Sequence, residues 1–230
     1  MNTTPGKIYL ADQRGLSENQ MARRYFTFNF ESFQNEHKGP FAGLNAFNDE
    51  TLAAAQSLQH TVGYDTQILI IPITGRLIVK AGIMESEVDV EEIAMLNLPA
   101  GTAFELLNPY SDNWINFLQI WIKPQETVTQ ISFKRFDFNL ESHKNKFGKI
   151  IGPTENSFAL SIGLFDGRQE DLYSTSSPTS AFFAFVLSGA FEMQGRLLHE
   201  RDGLALWNTS EIDVEALSNH AIILTLEFSA

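Results

Sequence analysis

The chain has 230 residues, 43% of them apolar and 19% charged, with a formal net charge of −12 and no cysteine. The charge argues against nucleic-acid and anionic-membrane partners, which need clustered Lys and Arg, and the missing cysteine excludes disulfides, thiolate nucleophiles and Cys-ligated zinc. The length suffices for one large core or for two of about 100–120 residues each. Phenylalanine is abundant, with 19 copies, which points to a well-filled β interior or an apolar cavity. With no apolar leader core near the amino terminus and no apolar run of the ~18–20 residues that span a bilayer, a cytoplasmic protein is expected.

Along the first half, Lys7–Leu10 reads as a short strand, and Arg23–Phe30 alternates aromatic with polar residues, the period of a half-buried strand. Asn48-Asp49 marks a turn, Thr51–Ala55 reads as extended, and Gln67–Ile73 is a dense β-branched run that Gly75 turns into Arg76–Lys80. Pro72 inside that run predicts an edge position or a bulge, because proline cannot donate to a ladder. Further strands are predicted over Glu92–Asn97 and Asn116–Ile122, with Lys123-Pro124 as the stop. The polar span 125–149 carries no clean period and reads as a connection.

The second half repeats the short-strand grammar over Ser157–Phe165, Ala181–Gly189, Ala190–Gly195, Asp202–Trp207, Ile212–Ala216 and Ala221–Phe228. Turns recur at the spacing of sandwiches and barrels, and no long helical period is present. The expected fold is all-β, two barrels in tandem. The expected boundaries are 1–125 for the first barrel, 126–148 for the connecting segment and 149–230 for the second barrel.

Leu98–Pro109 (L-P-A-G-T-A-F-E-L-L-N-P) supplies the most informative pattern. Pro99 and Gly101 frame a tight turn, an alternating apolar stretch follows, and Asn108-Pro109 closes it. The pattern resembles the second cupin signature, Pro-x-Gly-x-x-His-x-x-x-Asn, at every place except the histidine, where Phe104 stands. Four colinear segments extend the likeness. Phe26–Phe30 (F-T-F-N-F), Asn48–Glu50 (N-D-E), Gln119–Pro124 (Q-I-W-I-K-P) and Asp202–Trp207 (D-G-L-A-L-W) resemble the pirin family's bacterial bicupin members. The resemblance implies two jelly-roll cupin barrels of the RmlC-like type.

Typical members of that family hold Fe, Ni or another divalent metal in the first barrel, and some cleave quercetin with dioxygen. Their ligands are a His-x-His pair and a later His-x-Glu pair, donors suited to such metals. A gapless alignment places Thr61 and Gly63 at the first pair, and Asn108-Pro109 places Phe104 and Leu106 at the second; Gln67 stands where other cupins carry glutamate. These five residues are the expected ligand pocket, mostly apolar with polar anchors, and no metal or other cofactor is expected. His60, Asp65 and Glu105 are displaced metal-ligand candidates; a one-residue offset turns a strand side chain to the other face, so His60 and Glu105 are expected to point away from the cavity.

The remaining histidines, His37, His143, His199 and His220, are scattered; Trp114, Trp121 and Trp207 are expected in core packing, and Ser174–Ser180 as a solvated loop. No nucleophile elbow or phosphate loop is present, so no catalytic residue is named. The sequence supports a bicupin without its metal site, a non-dioxygenase that binds an apolar small molecule or a protein partner. A quercetin dioxygenase-type oxidoreductase with rearranged ligands is the alternative, and a purely interacting protein with both barrels filled is a third reading.

Overall fold

A computed structural model describes residues 4–153 and 156–229. In chain order the strands are β1 (Gly6–Tyr9), β2 (Gly15–Glu18), β3 (Ala22–Phe26), β4 (Leu44–Leu52), β5 (Ser57–Thr61), β6 (Thr66–Thr74) and β7 (Leu77–Ala81). They continue with β8 (Met84–Val88), β9 (Glu92–Leu98), β10 (Ala103–Leu107), β11 (Ile115–Ile122), β12 (Ser132–Asp137), β13 (Gly148–Ile151) and β14 (Phe158–Phe165). The last seven are β15 (Glu170–Ser174), β16 (Ala181–Ser188), β17 (Phe191–Met193), β18 (Arg196–Leu198), β19 (Gly203–Leu206), β20 (Glu211–Ala216) and β21 (Ala221–Phe228). Among the described residues no helix is long and apolar enough to cross a membrane.

The chain forms two compact units, Arg14–Phe138 and a second that joins Asn139 onward to the residues before Arg14. The first unit faces a seven-stranded sheet (β12-β9-β6-β11-β4-β3-β2) with a four-stranded one (β5-β10-β7-β8); the second faces a six-stranded sheet (β1-β19-β16-β21-β14-β13) with another of four (β15-β20-β17-β18). Two all-β barrels are thus observed, with boundaries that differ from 1–125, 126–148 and 149–230. β1 pairs with β19 of the second unit, Gly6 opposite Leu206. β12 lies inside the span read as a connection and pairs with β9 from Ser132↔Asn97 to Asp137↔Glu92. It is polar because it is an edge strand whose outer positions are solvated.

Period-2 alternation builds each core. In the first unit Leu77, Val79 and Ala81 of β7, Phe104 and Leu106 of β10, and Ile68 and Ile70 of β6 meet Phe117 and Trp121 in one buried cluster. Each such large side chain stabilises the fold by roughly 1.5–3 kcal/mol. The second unit gathers Phe165, Phe182, Phe191, Met193, Leu204, Ile212 and Ile223 in the same way. Pro72 sits where the β6–β11 register shifts, beyond the last β6–β9 pair at Ile70↔Ala94, so no ladder bond is lost there. Gly101 takes φ +82°, the left-handed turn residue that the Pro99–Gly101 pattern requires. Trp114 departs from expectation: it lies in the loop before β11 and is 52% exposed rather than in the core.

Candidate functional site

The antiparallel register of β5 and β10 decides which side chains enter the first barrel. Phe104 pairs with His60, Glu105 with Gln59, Leu106 with Leu58, and Ala103 with Thr61. Cross-strand partners share a face, and Phe104 and Leu106 are buried in the core cluster. His60 therefore faces inward, its side chain 6% exposed and its ring stacked on Phe104 at 5.1 Å between centroids. The expectation that His60 turns away is overturned. Glu105 does point outward, where hydrogen bonds from Ser57 and Gln59 hold its carboxyl below the usual range.

The same register moves three expected pocket residues out of the interior. Thr61 and Gly63 are exposed, and a Cβ at Gly63 would meet nothing. Val62 is the buried residue of that stretch, its N–H donating to the Thr102 carbonyl at 3.0 Å. Gln67 lies on the face opposite Ile68 and donates to Asn97 at 2.8 Å, and Asn97 donates to Ser132 at 2.9 Å. Asp65 is a loop clamp, its two oxygens accepting the Ala100 and Val128 N–H groups at 2.9 and 3.0 Å.

Beside His60 the interior holds a charged network that sequence reasoning missed. Arg24 donates through Nε and Nη2 to Glu50 Oε1 at 3.2 and 3.1 Å, and through Nη1 and Nη2 to Glu31 at 2.8 and 3.1 Å. His60 Nδ1 lies 3.5 Å from Glu31 Oε1. Asn48 donates to Glu50 at 3.3 Å, and Gln119, with its amide nitrogen toward Glu50, donates at 3.0 Å while its oxygen accepts from Trp121 Nε1 at 3.0 Å. The guanidinium also lies 5.1 Å over Phe26 and 5.7 Å over Phe30. Sequence parity could have found this: Arg24 shares the inward face with Phe26, and Glu50 with Asn48 and Leu52.

Burial dominates the electrostatics. It pushes the Glu50 carboxyl up, with Arg24 offsetting part of the effect. It also works against the Arg24 charge, but the Glu50 and Glu31 carboxylates prevail and keep the guanidinium firmly protonated. For His60, burial and then the Arg24 charge lower the imidazole pKa to about 4, against a smaller opposing pull from Glu31. A neutral imidazole with a buried Nε2 that has no hydrogen-bond partner thus sits among Phe30, Phe104 and Trp121.

These residues do not fit a resident divalent metal. One imidazole faces in, Phe104 and Leu106 oppose it, and the nearest carboxylates, Glu31 and Glu50, are engaged by Arg24. Among the described residues no set of three His, Cys, Asp or Glu side chains is disposed to hold an ion. An open groove of about 770 Å³ borders the region, with Gln59, Thr61, Lys80, Thr102 and Glu105 as its polar wall. Ala81, Ala103, Phe104 and Ile131 supply apolar surface. Of the five expected pocket residues, Thr61 and Phe104 border this groove, and Gly63, Gln67 and Leu106 do not.

The second barrel carries a buried carboxylate, Glu227, at the end of β21. Glu227 accepts the Ser176 N–H and hydroxyl at 2.5 and 2.6 Å and the Tyr173 hydroxyl at 3.1 Å. The Ser174–Ser180 loop is therefore partly an internal tether, with Ser180 buried, rather than wholly solvated.

Comparison with known proteins follows the same lines. The quercetinase C-terminal cupin domain profile matches residues 155–227. A quercetin 2,3-dioxygenase of Escherichia coli K12 is 22% identical over 227 residues, covering 94% of this chain and 97% of the relative. The crystal structure of YhhW from Escherichia coli superposes with a TM-score of 0.88 at 18% identity, covering 98% of each chain. The nickel(II) complex of that bacterial pirin gives 0.87 at 18% identity, covering 97% of this chain and 99% of that one. Two barrels, the C-terminal domain match over residues 155–227 and the full-length likeness to quercetin dioxygenases agree on a pirin-like bicupin fold for this chain.

Proposed function

We propose that this bicupin is a metal-independent protein, not a dioxygenase, and that it binds a small molecule in the groove beside Phe104. The observation that carries the reading is the replacement of the family's second ligand pair by Phe104 and Leu106, both buried in the core, with Arg24 holding the neighbouring carboxylates. Phe104 and Leu106 pack into the core, and the groove that Phe104 borders is the space we assign to a ligand. Its size lies within the ~300–1,000 Å³ of small-molecule sites, and its mixed lining suits a compact molecule with both apolar surface and hydrogen-bonding groups. A protein partner reaching into the groove is the related reading.

The alternative is a quercetin dioxygenase-type oxidoreductase with rearranged ligands. It has one structural observation in its favour, the inward His60 at 3.5 Å from Glu31. Metal content per chain by elemental mass spectrometry, after growth with Fe, Ni, Mn, Cu and Zn, separates the two, together with oxygen uptake in the presence of quercetin. Near-zero metal and no oxygen uptake are expected. One ion per chain, or oxygen consumption, overturns the metal-independent reading. For the groove, a metabolite library is screened by thermal shift on the native protein and Thr61→Trp. Stabilising compounds should lose their effect in Thr61→Trp; compounds that stabilise both equally would place binding elsewhere.

A further inference from the structure

Arg24 presents two hydrogen-bonding edges, and they are engaged by very different partners. Its Nε and Nη2 donate to Glu50 Oε1 at 3.2 and 3.1 Å, a fully buried carboxylate fixed within β4. Its Nη1 and Nη2 donate to the two oxygens of Glu31 at 2.8 and 3.1 Å, the forked geometry by which a guanidinium takes a carboxylate. The Arg24 side chain is 9% exposed and that of Glu31 44%, so a buried cation is covered on this edge by a group that water reaches. Glu31 lies outside the sheets. It opens the two-residue turn between Phe30 and Phe33, whose N–H groups donate to each other's carbonyls at 3.1 and 2.9 Å. Its φ of +49° lies in the left-handed region that favours glycine. Strain of that kind persists where the surroundings impose it, and here the forked bond to Arg24 supplies the constraint.

We propose that the Nη1/Nη2 edge of Arg24 is a binding site for a small carboxylate anion, and that Glu31 is its intramolecular occupant, displaced by a free carboxylate when the turn opens. The proposal goes beyond the groove reading and does not depend on it. Glu50 supplies the counter-charge that holds the guanidinium in the interior, and Asn48 donates to the same carboxylate at 3.3 Å. With the fork empty, guanidinium donors would be left unpaired in the barrel, a cost larger than the net worth of a bond. A free carboxylate removes that cost as Glu31 does. The ring of Phe26, on β3 rather than on the turn, has its centroid 5.1 Å from the guanidinium carbon and gives a short alkyl tail an apolar neighbour.

Acetate is the probe, with chloride at equal ionic strength as the reference, and binding to the full chain is read by calorimetry and thermal shift. Glu31→Gly removes the occupant and suits the backbone. It should bind acetate roughly tenfold or more tightly than the native protein, because a tethered group competes at a high effective concentration. Arg24→Met/Glu31→Gly/Glu50→Gln, which removes the fork together with both buried charges, should lose acetate binding. Thr61→Trp/Glu31→Gly, with the groove blocked, should keep it. Binding in Glu31→Gly that is no tighter than native, is matched by chloride, survives in the triple variant or disappears with Thr61→Trp overturns the proposal. If Glu31→Gly does not fold in chloride, recovery of folding in acetate supports the proposal and no recovery overturns it. If the triple variant does not fold, a crystal structure of Glu31→Gly with acetate decides: a carboxylate on Nη1 and Nη2 supports the proposal, and one elsewhere overturns it.

Discussion

The two barrels share a sheet grammar and differ in what they admit to the interior. The first encloses Arg24, Glu50 and His60 beside Phe30, Phe104 and Trp121. The second is packed with Phe165, Phe182, Phe191, Met193 and Ile223, and the buried carboxylate of Glu227 sits at the end of β21 against Tyr173 and Ser176. A handful of inward, every-second positions accounts for the contrast. Where β3 and β4 place Arg24 and Glu50 inward, the interior needs counter-charges and amide donors; where β16 and β17 place phenylalanine, shape complementarity suffices.

The contrast breaks most visibly in the apolar barrel. Phe182→Ala should destabilise by about 3–5 kcal/mol in urea unfolding, because a fully buried ring leaves a cavity that rigid strands cannot close. A loss below ~1 kcal/mol would mean that the second interior is loosely packed. The first barrel should instead reveal itself through pH. His60 titrates at about 4 in the folded chain against ~6.5 when unfolded, so the unfolded state binds the extra proton between those values. Stability should be complete above pH 6.5 and fall by on the order of 2–3 kcal/mol as the pH drops through 4. His60→Phe should flatten that slope relative to the native protein, and an unchanged slope would remove His60 as its source.

The smallest effect sharpens the comparison from the other side. Glu227→Gln keeps an acceptor for Ser176 and Tyr173 but loses the charge, and should cost about 1–2 kcal/mol by the same assay. A cost as large as that of breaking the Arg24–Glu50 pair would give the second barrel a charged centre of equal weight.

Most of the fold was legible because strands half-buried in two-sheet barrels announce themselves by alternation, and Pro72 even marked its bulge. The partner of β1 carries no local signal: four residues pair with a strand some 200 positions away. β12 was hidden because a polar edge strand looks like a loop. At the site, Phe104 and Leu106 were readable from the turn before them, but Thr61 and Gly63, placed by a gapless alignment, lie exposed because Val62 takes the buried position of that stretch. Arg24 and Glu50 were passed over for a different reason. A charge on an alternating strand reads as an outward residue, and only its parity with Phe26, or with Asn48 and Leu52, says otherwise.

The pairing of β1 with β19 also orders events during synthesis. The first barrel, Arg14–Phe138, is complete in sequence before β19 exists. Gly6–Tyr9, made roughly 200 residues before its partner, must wait for Gly203–Leu206 to leave the ribosome, a delay of roughly 10–40 s at ~5–20 residues per second. Until then the nascent chain trails an unpaired segment that belongs to a barrel not yet made. The second barrel is therefore closed at its edge by β1, so a chain truncated before β19 would leave β1 unpaired, open to whichever edge it meets first.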